Sequence, residues 1–348
     1  MRPQKRTVFV PETNKKPGLS YTASPEGLEL PVIDVTHPAF ELRPGDEEIA
    51  DRVTEAIRDL ESRERMPVLV RRLLLRFFLR DSILAHGIAA SRGTYMDGMG
   101  TYLLKLGPDN LGTGYAQEID KKIAASLPCF SARLRLQAIA EMIAAELIAP
   151  LASTPLGELH LVNIAGGPAS DSLNALIVLR RRRAELLEGH KIFIDVLDRD
   201  DAGPAFGARS LDALRLEGAP LHGVDVEFHR MAFDWSAPTG LGSMLPLTAN
   251  EKKIVVGSSE GGLFEYGSDK EILEVLRDFR EATPLEATFT GSLSRSDGYA
   301  RHLNQAGGTA VRLWNLEDFV RLVQSAGWAV SQTTECPLSL VVCLKKSG

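Results

Sequence analysis

The chain has 348 residues, 44% of them apolar and 25% charged, with a formal charge of −6. It is long enough to bury a core that excludes water from a site, and its mildly acidic balance argues against a polyanionic partner, so nucleic acid is not expected. Cys129, Cys336 and Cys343 are too few and too scattered for a disulfide framework or a zinc site, and no metal is expected.

The first residues lack the apolar centre of a signal peptide, and no run reaches the roughly 20 apolar residues of a membrane span. A cytoplasmic protein without a membrane partner is therefore expected. Residues 1–44 carry Pro3, Pro11, Pro17, Pro25, Pro31, Pro38 and Pro44, which oppose helix and predict an extended arm. Such an arm could wrap a second subunit and make a homodimer.

Residues 45–152 read as helical, a lid or substrate domain. Asp46, Glu47 and Glu48 open a helix where the dipole favours acids, and Val53, Ile57 and Leu60 give its stripe. A second stripe covers 68–84, a short third 118–125 and a strongly apolar fourth 132–151. Between them the residues from Gly93 to Tyr102 predict a glycine-rich, ligand-facing loop or a plain helix connection.

From 153 to 348 strands and helices alternate. Strands are expected at 159–164, 192–197, 224–231, 253–257, 287–293, 328–333 and 338–344. Helices are expected at 172–187, 206–216, 269–282 and 316–326. Alternation means a mostly parallel sheet covered on both faces, a Rossmann-like α/β fold. The last two strands are joined only by a turn at Cys336-Pro337, so they form a C-terminal antiparallel hairpin.

The chemistry centres on Leu159–Leu176, where an apolar strand stops at Ala165-Gly166-Gly167-Pro168 and a helix pattern follows. Glycine lets the backbone approach a ligand, and ligands of open parallel sheets sit outside the carboxyl ends of strands. The next strand ends in Asp198, placed to accept from ribose hydroxyls, with Asp195 nearer mid-strand. The dinucleotide pattern G-x-G-x-x-G is absent, and Pro168 removes an N–H that a pyrophosphate would use.

These residues resemble the class I S-adenosylmethionine-dependent methyltransferases over about 153–348. Asn163-Ile-Ala165-Gly166-Gly167 is similar to the family's acidic-x-Gly-x-Gly motif, with asparagine for the acid and alanine for the first glycine. The resemblance implies a seven-stranded sheet and S-adenosyl-L-methionine as cofactor. The turn would then lie against its methionine part and ribose, Asp198 would bind ribose, and Ala232, Phe233 and Asp234 would lie at the adenine. The stretch from Ser258 through Glu260 to Tyr266 is similar to the E-G-x-x-x-Y segment of leucine carboxyl methyltransferase-like enzymes, which act on oxygen. Ser131-Ala-Arg133-Leu-Arg135 resembles that branch's arginine segment, which implies that Arg133 meets the cofactor carboxylate. The Asn/Asp-Pro-Pro-aromatic motif of nucleic-acid amine methylation is absent.

The expected function is methyl transfer to a small-molecule acceptor, at oxygen. Displacement from a sulfonium mainly needs alignment and exclusion of water. Candidate bases are Glu260, His229 and His86, although His229 suits a satisfied strand histidine and Glu260 a loop cap. Tyr95, Tyr102 and Tyr266 are candidate flanks of the substrate. Two alternatives stay open: an NAD(P)-dependent oxidoreductase on a degenerate Rossmann site, and a catalytically inactive interaction protein.

Overall fold

The structure is a computed structural model, and it describes residues 9–67, 82–90, 95–112, 117–154, 156–236, 241–245, 253–306 and 310–348. The strands are β1 (Tyr21–Ala23), β2 (Glu29–Pro31), β3 (Glu158–Ile164), β4 (Lys191–Asp198), β5 (Val226–Ala232), β6 (Lys253–Ser259), β7 (Thr288–Arg295), β8 (Leu313–Trp314), β9 (Trp328–Glu335) and β10 (Ser339–Lys346). Described helices are α1 (Asp46–Arg65), α2 (Ile83–Ala90), α3 (Gly98–Lys105), α4 (Gln117–Ala125), α5 (Leu127–Ser153), α6 (Ser170–Arg182), α7 (Ala202–Leu214), α8 (Leu241–Met244), α9 (Leu263–Tyr266), α10 (Asp269–Ala282), α11 (Gly298–Ala306) and α12 (Leu316–Ser325).

The main sheet runs β5-β4-β3-β6-β7-β10-β9, with the short β8 added beside β7. The pairs from β5 to β7 are parallel; β10 is antiparallel to both β7 and β9. β3 is buried from Leu159 to Ile164 and β4 over most of its length, with His160, Asn163 and Asp195 as buried polar exceptions among apolar side chains, because helices cover both sheet faces. Order reverses at β3, whose neighbours are β4 on one side and β6 on the other, and this places the switch point at the end of β3. The expected Rossmann-like sheet with its terminal antiparallel pair is the observed one.

One apolar cluster fills the α5–α6–α7 side and a second fills the α10–α12 side. The first contains Leu30, Val32, Ile33, Val35 and Phe40, so this part of the proline-rich segment packs onto its own chain. Asn174 in α6 fixes it there, accepting from the Val35 N–H at 2.8 Å and donating to the Ile33 carbonyl at 3.0 Å.

Several elements differ from expectation. The glycine-rich stretch is helical from Gly98, because Asp97 Oδ1 accepts from the Gly100 N–H at 2.6 Å and supplies the N-cap that offsets glycine's poor propensity. β1 and β2 pair inside the arm, and α11 was not anticipated. The stripe expected over 68–84 falls on 68–81, outside the described residues, as do Gly93 and the side chain of His86. Contrary to the hydropathy reading, α5 is long and apolar enough by composition to cross a membrane. Here Leu136, Ile139, Ile143 and Leu147 of that helix are buried in the first cluster.

Candidate functional site

The turn after β3 is strained where the sequence places its glycines. Ala165, Gly167 and Ala169 have φ of 57°, 55° and 53°, the left-handed region that alanine avoids. The Ala165 N–H donates to the Leu197 carbonyl at 2.8 Å, tying the turn to the end of β4. Gly166 has no alternative residue, since a Cβ there would lie 1.8 Å from Asn163 Oδ1. Asn163, buried at the strand's end, donates through Nδ2 to Asp171 Oδ1 at 2.6 Å and to Ser258 Oγ at 3.1 Å. The acid missing from position 163 therefore stands beside it, on the first turn of α6.

Asp171 is buried, and its carboxyl is pushed up to about 6 by that burial and by the charge of Glu260. The sign follows. Between about 3.9 in the unfolded chain and about 6 in the folded one, the folded state holds the extra proton, so stability falls as pH rises through that window. Asp171→Asn, which keeps the acceptor for Asn163, is expected to raise stability at pH 8 by on the order of 2 kcal/mol and to flatten the slope between those values. A denaturation series over pH checks this; a variant with the wild-type slope would remove Asp171 as its cause.

Outside the turn lies a cleft at the switch point. Its wall includes Ala165, Gly166, Gly167, Asp198, Asp200, Arg199, Glu260, Tyr95, Tyr266 and Trp235. Asp198 Oδ2 accepts from the Gly167 N–H at 2.9 Å and Oδ1 from the Asp200 N–H at 2.9 Å, so it organises the two loops where the switch point opens. Burial raises its pKa. Tyr95 stands edge-on to Trp235 and Tyr266, with ring centroids 6.5 and 6.4 Å apart. Burial and the nearby Glu265 push the Tyr266 phenol up to about 12.

Behind the cleft is a buried ionic cluster. Arg135 donates from Nε to Glu260 Oε1 at 2.7 Å and from Nη1 to Glu265 Oε1 at 2.8 Å, while Lys105 pairs with the other oxygen of Glu260. Burial alone would raise Glu260, but Lys105 and Arg135 outweigh it and hold its carboxyl below the usual range. Glu260 is thus clamped as an anion, the wrong direction for a general base working near neutrality. It is one of the residues that line the cleft.

Other expected site residues are redistributed. His229 is mid-strand, paired in register with Asp195, and its Nδ1 lies 2.8 Å from Asp195 Oδ1. His160 approaches the other oxygen of the same Asp195 at 3.0 Å, so His229 belongs to a sheet-face polar cluster and does not line the cleft. Arg133 lies over Gly107, where a Cβ would meet its Cζ at 2.7 Å, and Arg135 is the arginine that reaches the site. Ala232, Phe233 and Asp234 do not line the cleft: Phe233 is core, and Asp234 is half-buried, accepts from Ser236 and pairs with Arg199 at 3.3 Å. Trp235, one residue later, supplies the aromatic face there. Ser258 is buried and spends its hydroxyl on Asn163. Tyr102 is among the lining residues, but it is buried and its hydroxyl is committed to the arm, donating to the Pro31 carbonyl at 2.7 Å and accepting from the Ile33 N–H at 3.0 Å. Among the described residues no cluster could hold a metal ion.

No protein-family model matches the chain, and no curated protein does. Among solved structures, one described as a possible exported protein from Bordetella parapertussis is 17% identical, with a TM-score of 0.55 over 88% of this chain and 98% of that one. An O-methyltransferase family protein from Burkholderia thailandensis is 14% identical, with a TM-score of 0.42 over 67% and 61% of the two chains. The N,N-8-amino-8-demethyl-D-riboflavin dimethyltransferase of Streptomyces davawensis is 14% identical, with a TM-score of 0.41 over 66% and 59%. β10 inserted antiparallel between β7 and β9, with the switch point at β3, is the Rossmann-like sheet with a terminal antiparallel pair that the sequence resemblance implies.

Proposed function

We propose that this chain is an S-adenosylmethionine-dependent methyltransferase acting on a small molecule at oxygen. The observation that carries the reading is the charge of the cleft wall. Among the described residues Asp97, Asp198, Asp200 and Glu260 line it with Lys105 and Arg199, and with Lys105 and Arg135 both spent on Glu260 the three aspartates outnumber the remaining cation, Arg199. An acid-rich wall attracts a ligand bearing a sulfonium and an ammonium and repels a pyrophosphate, and Pro168 withholds an N–H that a phosphate would need.

When bound, the cofactor supplies a methyl group already activated for displacement. The residues of the chain then bind, orient and exclude water. Asp198 is the ribose acceptor, the turn gives close backbone approach, and Trp235 and Tyr266 give apolar faces. Both oxygens of Glu260 are taken, by Lys105 and Arg135, so the proposal gives this residue no role as a base.

Thermal shift with S-adenosylmethionine against NADH separates this from the dinucleotide reading, since only a ligand of the folded state raises the midpoint. Calorimetric titration with S-adenosylhomocysteine is the direct measurement, and silence at high micromolar concentration would sink the proposal. Asp198→Ala is expected to weaken that binding by about 1–3 kcal/mol, with Asp198→Asn intermediate because it keeps one acceptor. Equal affinities in all three proteins would remove Asp198 from the ribose site.

A further inference from the structure

Among the described residues none before Tyr95 lines the cleft, yet the N-terminal arm is bonded to the helices that do. Past β2 the arm runs on to Val35. One side of it keeps to β1, with the Val32 N–H donating to the Ser20 carbonyl at 2.8 Å. On the other side two side chains stand where a partner strand would. The Tyr102 hydroxyl of α3 takes the Pro31 carbonyl and the Ile33 N–H, and the Asn174 amide of α6 takes the Ile33 carbonyl and the Val35 N–H. Alternate residues thus have their buried backbone groups satisfied by two different helices.

The arm also reaches the far end of α3. Asn110 Nδ2 donates to the Leu106 carbonyl at 2.8 Å and to the Ala39 carbonyl at 2.9 Å, and its Oδ1 accepts from Lys16 Nζ at 2.7 Å. A helix like α3 needs such ties. It has eight residues, too few to hold alone in water, and two of them are glycine. Gly98, Thr101 and Lys105 lie on its cleft side, with Tyr102 on the neighbouring stripe. A Cβ on Gly98 would lie 2.7 Å from Gly167 Cα, and the Lys105 ammonium pairs with Glu260, so the place of this helix sets two walls of the cleft.

We propose that the arm is a positioning element of the cleft, holding α3 through Tyr102 and Asn110 where S-adenosylmethionine binds tightly; this rests on the methyltransferase reading above. The arm sets cofactor affinity without touching the cofactor. Met99, Tyr102 and Leu106 hold α3 to the core, but apolar contact is not directional. The hydrogen bonds are, and they fix the helix in one position on that core. Cutting a tie lets α3 occupy other positions, and measured affinity falls with the fraction of molecules that keep the competent one.

Tyr102→Phe keeps the ring edge-on to Phe206, 4.7 Å between centroids, and strips only the hydroxyl. Asn110→Ala cuts the second tie. Arg209→Gln is the control: Arg209 fixes the arm to α7 through the Ala23 carbonyl at 2.9 Å and belongs to neither tie. The experiment is calorimetric titration of S-adenosylhomocysteine into wild type and the three variants, with urea midpoints and hydrogen exchange at the amides of 99–106 and 270–282. Tyr102→Phe and Asn110→Ala are each expected to bind about three- to tenfold more weakly and to exchange faster over 99–106, while 270–282 keeps its wild-type rate. Arg209→Gln is expected to lower the midpoint and bind as the wild type does. A purely structural arm would give lower midpoints at unchanged affinity, and that result overturns the proposal. An equal loss of affinity in Arg209→Gln overturns it too. Either result leaves the cofactor reading intact, whereas a wild type that does not bind sinks both. If one of the two tie variants fails to fold, the other decides.

Discussion

Arg135→Ala is expected to lower the stability of the folded chain by about 3–5 kcal/mol, the range for removing one partner of a buried ion pair. The physical reason is the number of charges left behind. Arg135 is the shared partner of Glu260 and Glu265, whose side chains are only 4% and 5% exposed. Without it Glu260 keeps Lys105, but Glu265 has lost its arginine. Burial pulls the Arg135 guanidinium down, yet Glu265 and Glu260 more than reverse this and hold it above its ordinary value. Glu265 is already raised by burial, so in the variant it would take up a proton more readily. The deficit should therefore shrink as pH falls toward 5, since the folded state of the variant binds the extra proton. Arg135→Lys should recover only part of the loss, because an ammonium cannot reproduce a fork that serves two carboxylates. Urea midpoints at pH 7 and pH 5 read both effects, and a loss below about 1 kcal/mol at pH 7 would mean the cluster is open to water.

A comparable effect, about 3–5 kcal/mol, is expected for Phe264→Ala, from lost transfer energy and the cavity left behind. Phe264 is fully buried, with its ring centroid 5.6 Å from that of Phe289 and 5.0 Å from that of Phe319. It lies against bare backbone at Gly291 of β7, where a Cβ would meet its Cε2 at 2.3 Å. The backbone of the same residue accepts from Trp314 Nε1 at 2.6 Å, which ties α9 to β8. Since α9 follows Gly262 directly and carries Glu265 and Tyr266, loss of the ring should also loosen the acidic wall. Phe264→Leu should lose less, because it fills most of the cavity. If Phe264→Ala unfolded at the wild-type midpoint, the three-ring cluster would not be the anchor of this wall.

The sheet was legible because strand and helix periods differ and because β3, β4 and β6 are short, mainly apolar runs separated by polar turns. The turn and Asp198 were legible for a related reason: glycine clustering and a strand-terminal acid are local signals. What escaped was rotation and reach. Arg133 and Arg135 are two residues apart on α5, about 200° around the helix, and local sequence does not say which one faces the sheet. His229 pairs with Asp195, three residues before the end of β4 at Asp198, so its distance from the cleft follows from register, which only the folded sheet supplies. The glycines at 98 and 100 hid a helix that Asp97 starts. Lys105 gave no sign of its partner, since Glu260 lies 155 residues away. Trp235 sits one position beyond the segment matched to the family pattern, and its aromatic character was the signal available.

The position of β10 has a consequence for how the chain acquires its structure. β10 is an interior strand, pairing with β7 on one side and β9 on the other. During synthesis β7 emerges 44 or more residues before Ser339 and must wait with an open edge facing solvent. An open strand edge is a template for other chains. The α10–α12 half of the core, which includes Val342 and Leu344 of β10, also stays incomplete over that interval. The molecule should therefore be most prone to aggregation on the ribosome between release of residue 295 and release of residue 346, and cuts within β10 should yield insoluble protein rather than a weakened fold.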